Sequence, residues 1–155
     1  MPNHLLQAKA SLNILKPTVN VFQSIVQPHH MCNYFIAQSS GPLTEGNTVT
    51  WKFPEMDMEF QVRVTKVETD RLIQFNWGEG ENQTEVIISL RDRGDECFVS
   101  ITESGKPYSE ENLKWLRGNT EGWANFLACL KAYMEYSINL RKGAFLAEQI
   151  PEATS

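Results

Sequence analysis

No apolar run in this chain approaches the ~18 residues a membrane-crossing helix needs, which excludes a membrane span from what the sequence predicts. The first residues, MPNHLLQAKASLNIL, show no charged start followed by an apolar signal core, so the expected location is cytoplasmic. Cysteine is scarce. Cys32, Cys97 and Cys129 are odd in number and far apart, which excludes a disulfide framework and a Cys-x-x-Cys metal clip and predicts three small buried hydrophobes. Basic excess is also missing: 14 Lys and Arg against 19 Asp and Glu leave a formal charge of −5. The nearest approach to a basic cluster, Arg91-Asp92-Arg93, is diluted by its own aspartate, so nucleic acid is not an expected partner.

The familiar catalytic signatures are absent as well. There is no Gly-x-Ser-x-Gly elbow, phosphate loop or dinucleotide fingerprint. Gly78-Glu79-Gly80 leads into acidic sequence, the wrong sign for a phosphate cradle. His29 and His30 are neighbours that would point about 100° apart on a helix, and His4 sits near the terminus. No metal centre and no cofactor are predicted.

What is present is one domain's worth of chain with 41% hydrophobic residues. The reading is a single domain over 1–155, with a core of about 8–145 and a tail at 146–155. A first strand runs from Ala8 to Leu15 and stops at Pro17. Thr18 caps a short helix over Val19–Val26, and a second short helix covers His29–Ala37. The turn-rich segment Ser39-Ser40-Gly41-Pro42 follows. Five strands come next, over Thr48–Phe53, Met58–Val67, Arg71–Trp77, Gln83–Leu90 and Glu96–Glu103. Their period-two alternation puts Val49, Trp51 and Phe53 in phase, as it does Phe60, Val62 and Val64, and likewise Ile73, Phe75 and Trp77. A short helical piece at Ser109–Leu116 precedes a long helix capped by Asn119 or Thr120 and ended by Gly143. In that helix Trp123, Leu127, Leu130, Met134 and Ile138 stack on one face, beside a second stripe of Phe126, Cys129, Tyr133, Tyr136 and Leu140. Arg141 and Lys142 fall in its last turn, where cations complement the helix dipole.

An antiparallel sheet with one apolar face needs a cover, and the long helix is the only element large enough. The expected fold class is therefore α+β, a curved antiparallel sheet wrapped around a long C-terminal helix.

The chain resembles the START-like (SRPBCC) helix-grip superfamily, and within it the activator of heat-shock-protein-90 ATPase family. The residues that carry the resemblance are Lys16-Pro17 with Val21-Phe22, and Ser40-Gly41-Pro42-Leu43-x-x-Gly46. To these are added Leu72-x-x-Phe75-x-Trp77, Thr102-Glu103-x-Gly105, and Gly122-Trp123-x-x-Phe126-Leu127-x-x-Leu130-Lys131-Ala132-Tyr133. The resemblance implies a helix-grip fold with two short helices after the first strand. It also implies a cavity between sheet and helix that takes a lipid or other hydrophobic small molecule, and, from the family's namesake, a role beside a chaperone ATPase.

The candidate cavity lining is Trp51, Phe60, Phe75, Trp77, Glu103, Trp123, Leu127, Leu130 and Met134. Four in-phase aromatics on a concave face either line a pocket or fill it. Trp123, in the first turn of the predicted long helix, either stacks on a ligand or anchors the helix to the sheet. Glu103 continues the inward phase of Cys97, Val99 and Ile101, and would be an acid or base if buried; the ordinary fate of a strand-end glutamate is to bend to solvent or to pair with a cation. Hydrophobic ligand binding is the leading function. A protein-interaction module, with a chaperone or a second copy of the chain as partner, is the alternative, and an enzyme using an inward carboxylate is the third.

Overall fold

A computed structural model of the chain describes residues 5–146. It contains seven strands, β1 (Leu5–Ile14), β2 (Gln38–Ser39), β3 (Thr48–Lys52), β4 (Glu59–Glu68), β5 (Leu72–Trp77), β6 (Thr84–Asp92) and β7 (Cys97–Pro107). The helices are α1 (Thr18–Val26), α2 (Pro28–Met31) and α3 (Glu110–Tyr136). The strands form one antiparallel sheet in the order β1-β7-β6-β5-β4-β3-β2. This is the α+β architecture that the alternation predicts and the helix-grip arrangement that the resemblance implies, with α1 and α2 inserted after the first strand. Among the described residues no helix is long and apolar enough to cross a membrane.

Alternation decides the inner face. Val49 and Trp51 of β3, Phe60, Val62 and Val64 of β4, Ile73 and Phe75 of β5, Val86, Ile88 and Leu90 of β6, and Cys97, Val99 and Ile101 of β7 are all buried in one continuous core. From α3 the core receives Trp123, Phe126, Leu127, Cys129 and Leu130. The helix lies chiefly over β1 and β7. Its far end is fastened to β1 and to the residue that follows it: Lys131 Nζ donates to the Asn13 carbonyl at 2.8 Å, and the Leu15 N–H donates to Glu135 Oε2 at 2.8 Å.

Several expectations are corrected. The predicted short piece and long helix are one helix, because Ser109 caps it by accepting from the Asn112 N–H at 3.0 Å and nothing after that removes a donor. Gly118 and Gly122 lower its propensity without breaking it. Asn119 and Thr120 therefore cap nothing. The helix stops at Tyr136, seven residues before Gly143, because Ser137 adopts a left-handed conformation (φ 57°) whose N–H closes onto Ala132 and Tyr133. Ile138 and Leu140 consequently lie past the helix, 51% and 47% exposed. Arg141 is likewise outside it, and the dipole account of that residue fails.

Smaller differences follow local chemistry. The second short helix is the single turn Pro28–Met31, not His29–Ala37, and Gln38–Ser39 pairs with β3 where the sequence predicts only a turn. β1 begins at Leu5, and β7 continues through Gly105 to Pro107 opposite it. Cys97 and Cys129 are buried, but Cys32 is exposed because it ends the short α2 turn. His4 and the predicted tail beyond Leu146 lie outside the described residues.

Candidate functional site

The sheet register brings the site together. Trp51 pairs opposite Phe60, Trp77 opposite Val62 on one side and Thr84 on the other, and Glu103 opposite Val86. Thr84 sits two positions before Val86 and so lies diagonal to Glu103 on the same face. From the helix, Asn119 and Trp123 are four residues apart and project from one side of α3.

Glu103 is 1% exposed, so its carboxylate points inward. Oε2 accepts from Trp77 Nε1 at 2.9 Å and Thr84 Oγ1 at 2.5 Å. Oε1 accepts from Asn119 Nδ2 at 2.7 Å and Trp123 Nε1 at 2.8 Å. Each oxygen thus receives two donors, which uses its lone pairs. The sequence places Glu103 at a strand end, but it lies inside β7, four residues before Pro107, and the four donors replace the water its carboxylate would lose. The same arrangement makes Glu103 a tie between β5, β6, β7 and α3 and leaves it no lone pair for a reacting proton.

Around this carboxylate lies a chain of aromatic rings. Trp51 meets Phe75 at 5.5 Å between centroids and Trp77 at 6.0 Å. Trp77 meets Phe75 at 5.6 Å, Phe60 at 6.5 Å and Trp123 at 5.7 Å. Phe35 joins Trp51, Phe53, Trp123 and Phe126. Most of these contacts are edge-to-face, the arrangement ring quadrupoles prefer. Trp51, Phe60, Phe75 and Trp123 are buried, while Trp77 is only half-buried. Leu127 and Leu130 belong to the same core, and Met134 packs half-buried at its margin.

One indole differs from the other two. Trp77 and Trp123 both donate to Glu103, but the Trp51 N–H is buried with no acceptor among the described residues.

The far side of the ring cluster is closed by the chain after α3. Arg141 donates to Glu55 through Nη2 at 2.8 Å and Nε at 3.1 Å, with the two side chains 8% and 9% exposed. Its guanidinium also stands over Phe145, Phe53 and Phe35 at 5.0, 5.5 and 5.6 Å. A smaller cluster joins α2 to α3, where His30 Nδ1 lies 2.6 Å from the Tyr133 hydroxyl. Burial and the neighbouring His29 hold the His30 imidazole below its usual pKa. Among the described residues no three His, Cys, Asp or Glu side chains converge as a metal site would require.

Sequence reasoning missed Thr84, Phe35, Phe53 and Arg141. Thr84 was findable, since it continues the inward phase of Val86, Ile88 and Leu90. Phe53 was findable too, since it continues the phase of Val49 and Trp51, whereas Phe35 and Arg141 depend on where a loop folds back, which periodicity does not record.

Comparison with known proteins agrees with this fold. A protein from Staphylococcus saprophyticus has a TM-score of 0.78 and 27% identity, covering 92% of this chain and 99% of its own. DynU16, a protein of the dynemicin biosynthetic locus, has a TM-score of 0.75 at 19% identity, over 86% of this chain and 48% of its own. The Aha1 dimer from Colwellia psychrerythraea has a TM-score of 0.73 at 18% identity, over 84% of this chain and 97% of its own. The latter two likenesses show the fold alone. Comparison with curated protein sequences returns no match. The family model described as activator of Hsp90 ATPase homolog 1-like protein matches residues 17–135, which span every strand after β1 and all but the last residue of α3. By that match, this chain belongs to the activator of Hsp90 ATPase homolog 1-like family.

Proposed function

We propose that this chain is a START-like module that holds a small hydrophobic molecule between the inner face of β3–β5 and helix α3. One observation carries the reading: α3 packs chiefly over β1 and β7, so the cover over β3–β5 consists of aromatic rings. A layer of rings yields by rotation where a backbone-on-backbone contact does not. Trp77, half-buried between Trp51 and Trp123, is the ring best placed to turn. Apolar walls with few polar groups are what such ligand sites require. The candidate contacts remain Trp51, Phe60, Phe75, Trp77, Trp123, Leu127, Leu130 and Met134, with Glu103 holding the indoles in place.

Native mass spectrometry of freshly purified protein, repeated after denaturation, tests this. A reproducible extra mass lost on denaturation is the expected result. A clean protein mass, together with no thermal shift across a panel of lipids and aromatic ketones, would count against binding.

A second reading, a protein-interaction module such as a chaperone ATPase co-regulator, draws on the exposed apolar side chains of Tyr136, at the end of the helix, and of Ile138 and Leu140 beyond it. The family's name supports it too. Its test is a pull-down with a chaperone and an ATPase assay. An unchanged rate with nothing retained would remove it.

A further inference from the structure

We infer that the molecule held in this interior is apolar with one neutral hydrogen-bond acceptor, a ketone, ester or ether oxygen, and that the Trp51 indole N–H is the group that reads it. The inference rests on the ligand-binding reading above and adds the ligand's chemistry to it.

Three of the chain's four tryptophans lie in the ring cluster. Two of their N–H groups share Glu103. The third, on Trp51, is 1% exposed and has no acceptor among the described residues. Its ring neighbours are Phe35, Phe75 and Trp77, which offer ring carbons and a donor-only indole, none of them an oxygen or nitrogen acceptor. Nearly all buried polar groups in folded proteins are paired, so an orphaned donor calls for a partner from outside the described residues. A phenylalanine would cover most of the same apolar surface without that donor.

The partner is neutral because of Glu103. Its buried carboxylate lies just across Trp77 and is matched by uncharged donors, so a second anion would meet like charge in a poorly screened interior. The body is apolar and flat because the surrounding surface is ring edges and faces. Turning the half-buried Trp77 ring exposes Trp51 to an incoming molecule. A trapped water is the competing partner for the same N–H.

The test compares 2-acetylnaphthalene with 2-isopropenylnaphthalene, which has the same shape but no acceptor. Binding is followed in nitrogen-15-labelled protein through the indole N–H signals, with Trp51 assigned from Trp51→Phe. The ketone should bind about tenfold more tightly than the hydrocarbon and move the Trp51 proton downfield, and Trp51→Phe should bind both equally. The wild-type comparison stands even if the variant fails to fold. Equal binding of both probes with the Trp51 signal unmoved would overturn the inference and leave hydrophobic binding intact. A Trp51 proton that keeps its contact to a long-lived water in the ketone complex would overturn it in the same way. Binding of neither probe would overturn the inference and the binding reading together.

Discussion

Replacing Glu103 with glutamine keeps the side chain's shape but turns one of its two oxygens into a donor. Whichever way the amide lies, its NH2 faces an indole N–H, that of Trp77 or that of Trp123, and an indole cannot reverse its role. Glu103→Gln should therefore lower stability by about 2–4 kcal/mol in urea unfolding; a change near zero would mean that the four bonds hold nothing. The tryptophans should separate by the same logic. Trp123→Phe gives up a hydrogen bond to the carboxylate and should cost about 1.5–3 kcal/mol. Trp51→Phe loses ring volume but also an unpaired buried donor, so it should stay within about 1 kcal/mol of wild type. Equal losses would show that the Trp51 N–H is already bonded. At this scale the inward phase of Glu103 was legible from Cys97, Val99 and Ile101. Its burial was not, because that depends on donors 16 to 26 positions away in sequence, each of which has an ordinary local explanation of its own.

Helix α3 shows what local signals do and do not record. Trp123, Phe126, Leu127 and Leu130 recur at helical spacing and are buried, because one face meets one environment throughout. Its ends depart from the local signals: Gly143 is a conventional stop signal, whereas Ser137 has no sequence mark for its left-handed conformation. Gly122 lies inside the helix, exposed, with nothing within 4 Å of an added Cβ. Gly122→Ala should thus stabilise by about 1 kcal/mol, read as a raised urea midpoint. Near the helix C-terminus, burial acts to raise the Glu135 carboxyl, but the Leu15 N–H and Lys131 outweigh it and hold it below its ordinary 4.5. A carboxyl lowered on folding adds stability that is complete above the unfolded value and is lost as pH falls through the folded one. The stability gap between wild type and Glu135→Gln should accordingly be constant from pH 7 to about 5 and shrink below pH 4.5. A gap that does not change with pH would contradict this.

Across the whole molecule, the antiparallel run of β3 to β7 and its inner face follow from alternation and turn residues, while the pairing of β1 with β7, the short β2 and closure of the structure rest on contacts that alternation does not record. The Arg141–Glu55 pair is the clearest of these, joining the chain after α3 to the loop between β3 and β4. Arg141→Met leaves Glu55 buried without its partner and should cost about 3–5 kcal/mol, whereas the double variant Arg141→Met/Glu55→Leu should recover most of that loss. Thermal unfolding of the three proteins distinguishes a buried pair from a surface one, for which all three would coincide. A different consequence attends Glu103. Trp77 and Trp123 draw on the two oxygens of one carboxylate, so the ring that would admit a guest and the ring that moors the helix share an anchor. Occupancy and mooring are then thermodynamically linked: a guest that displaces Trp77 loosens α3 at Trp123, and anything that grips α3 more firmly tightens the door by the same free energy.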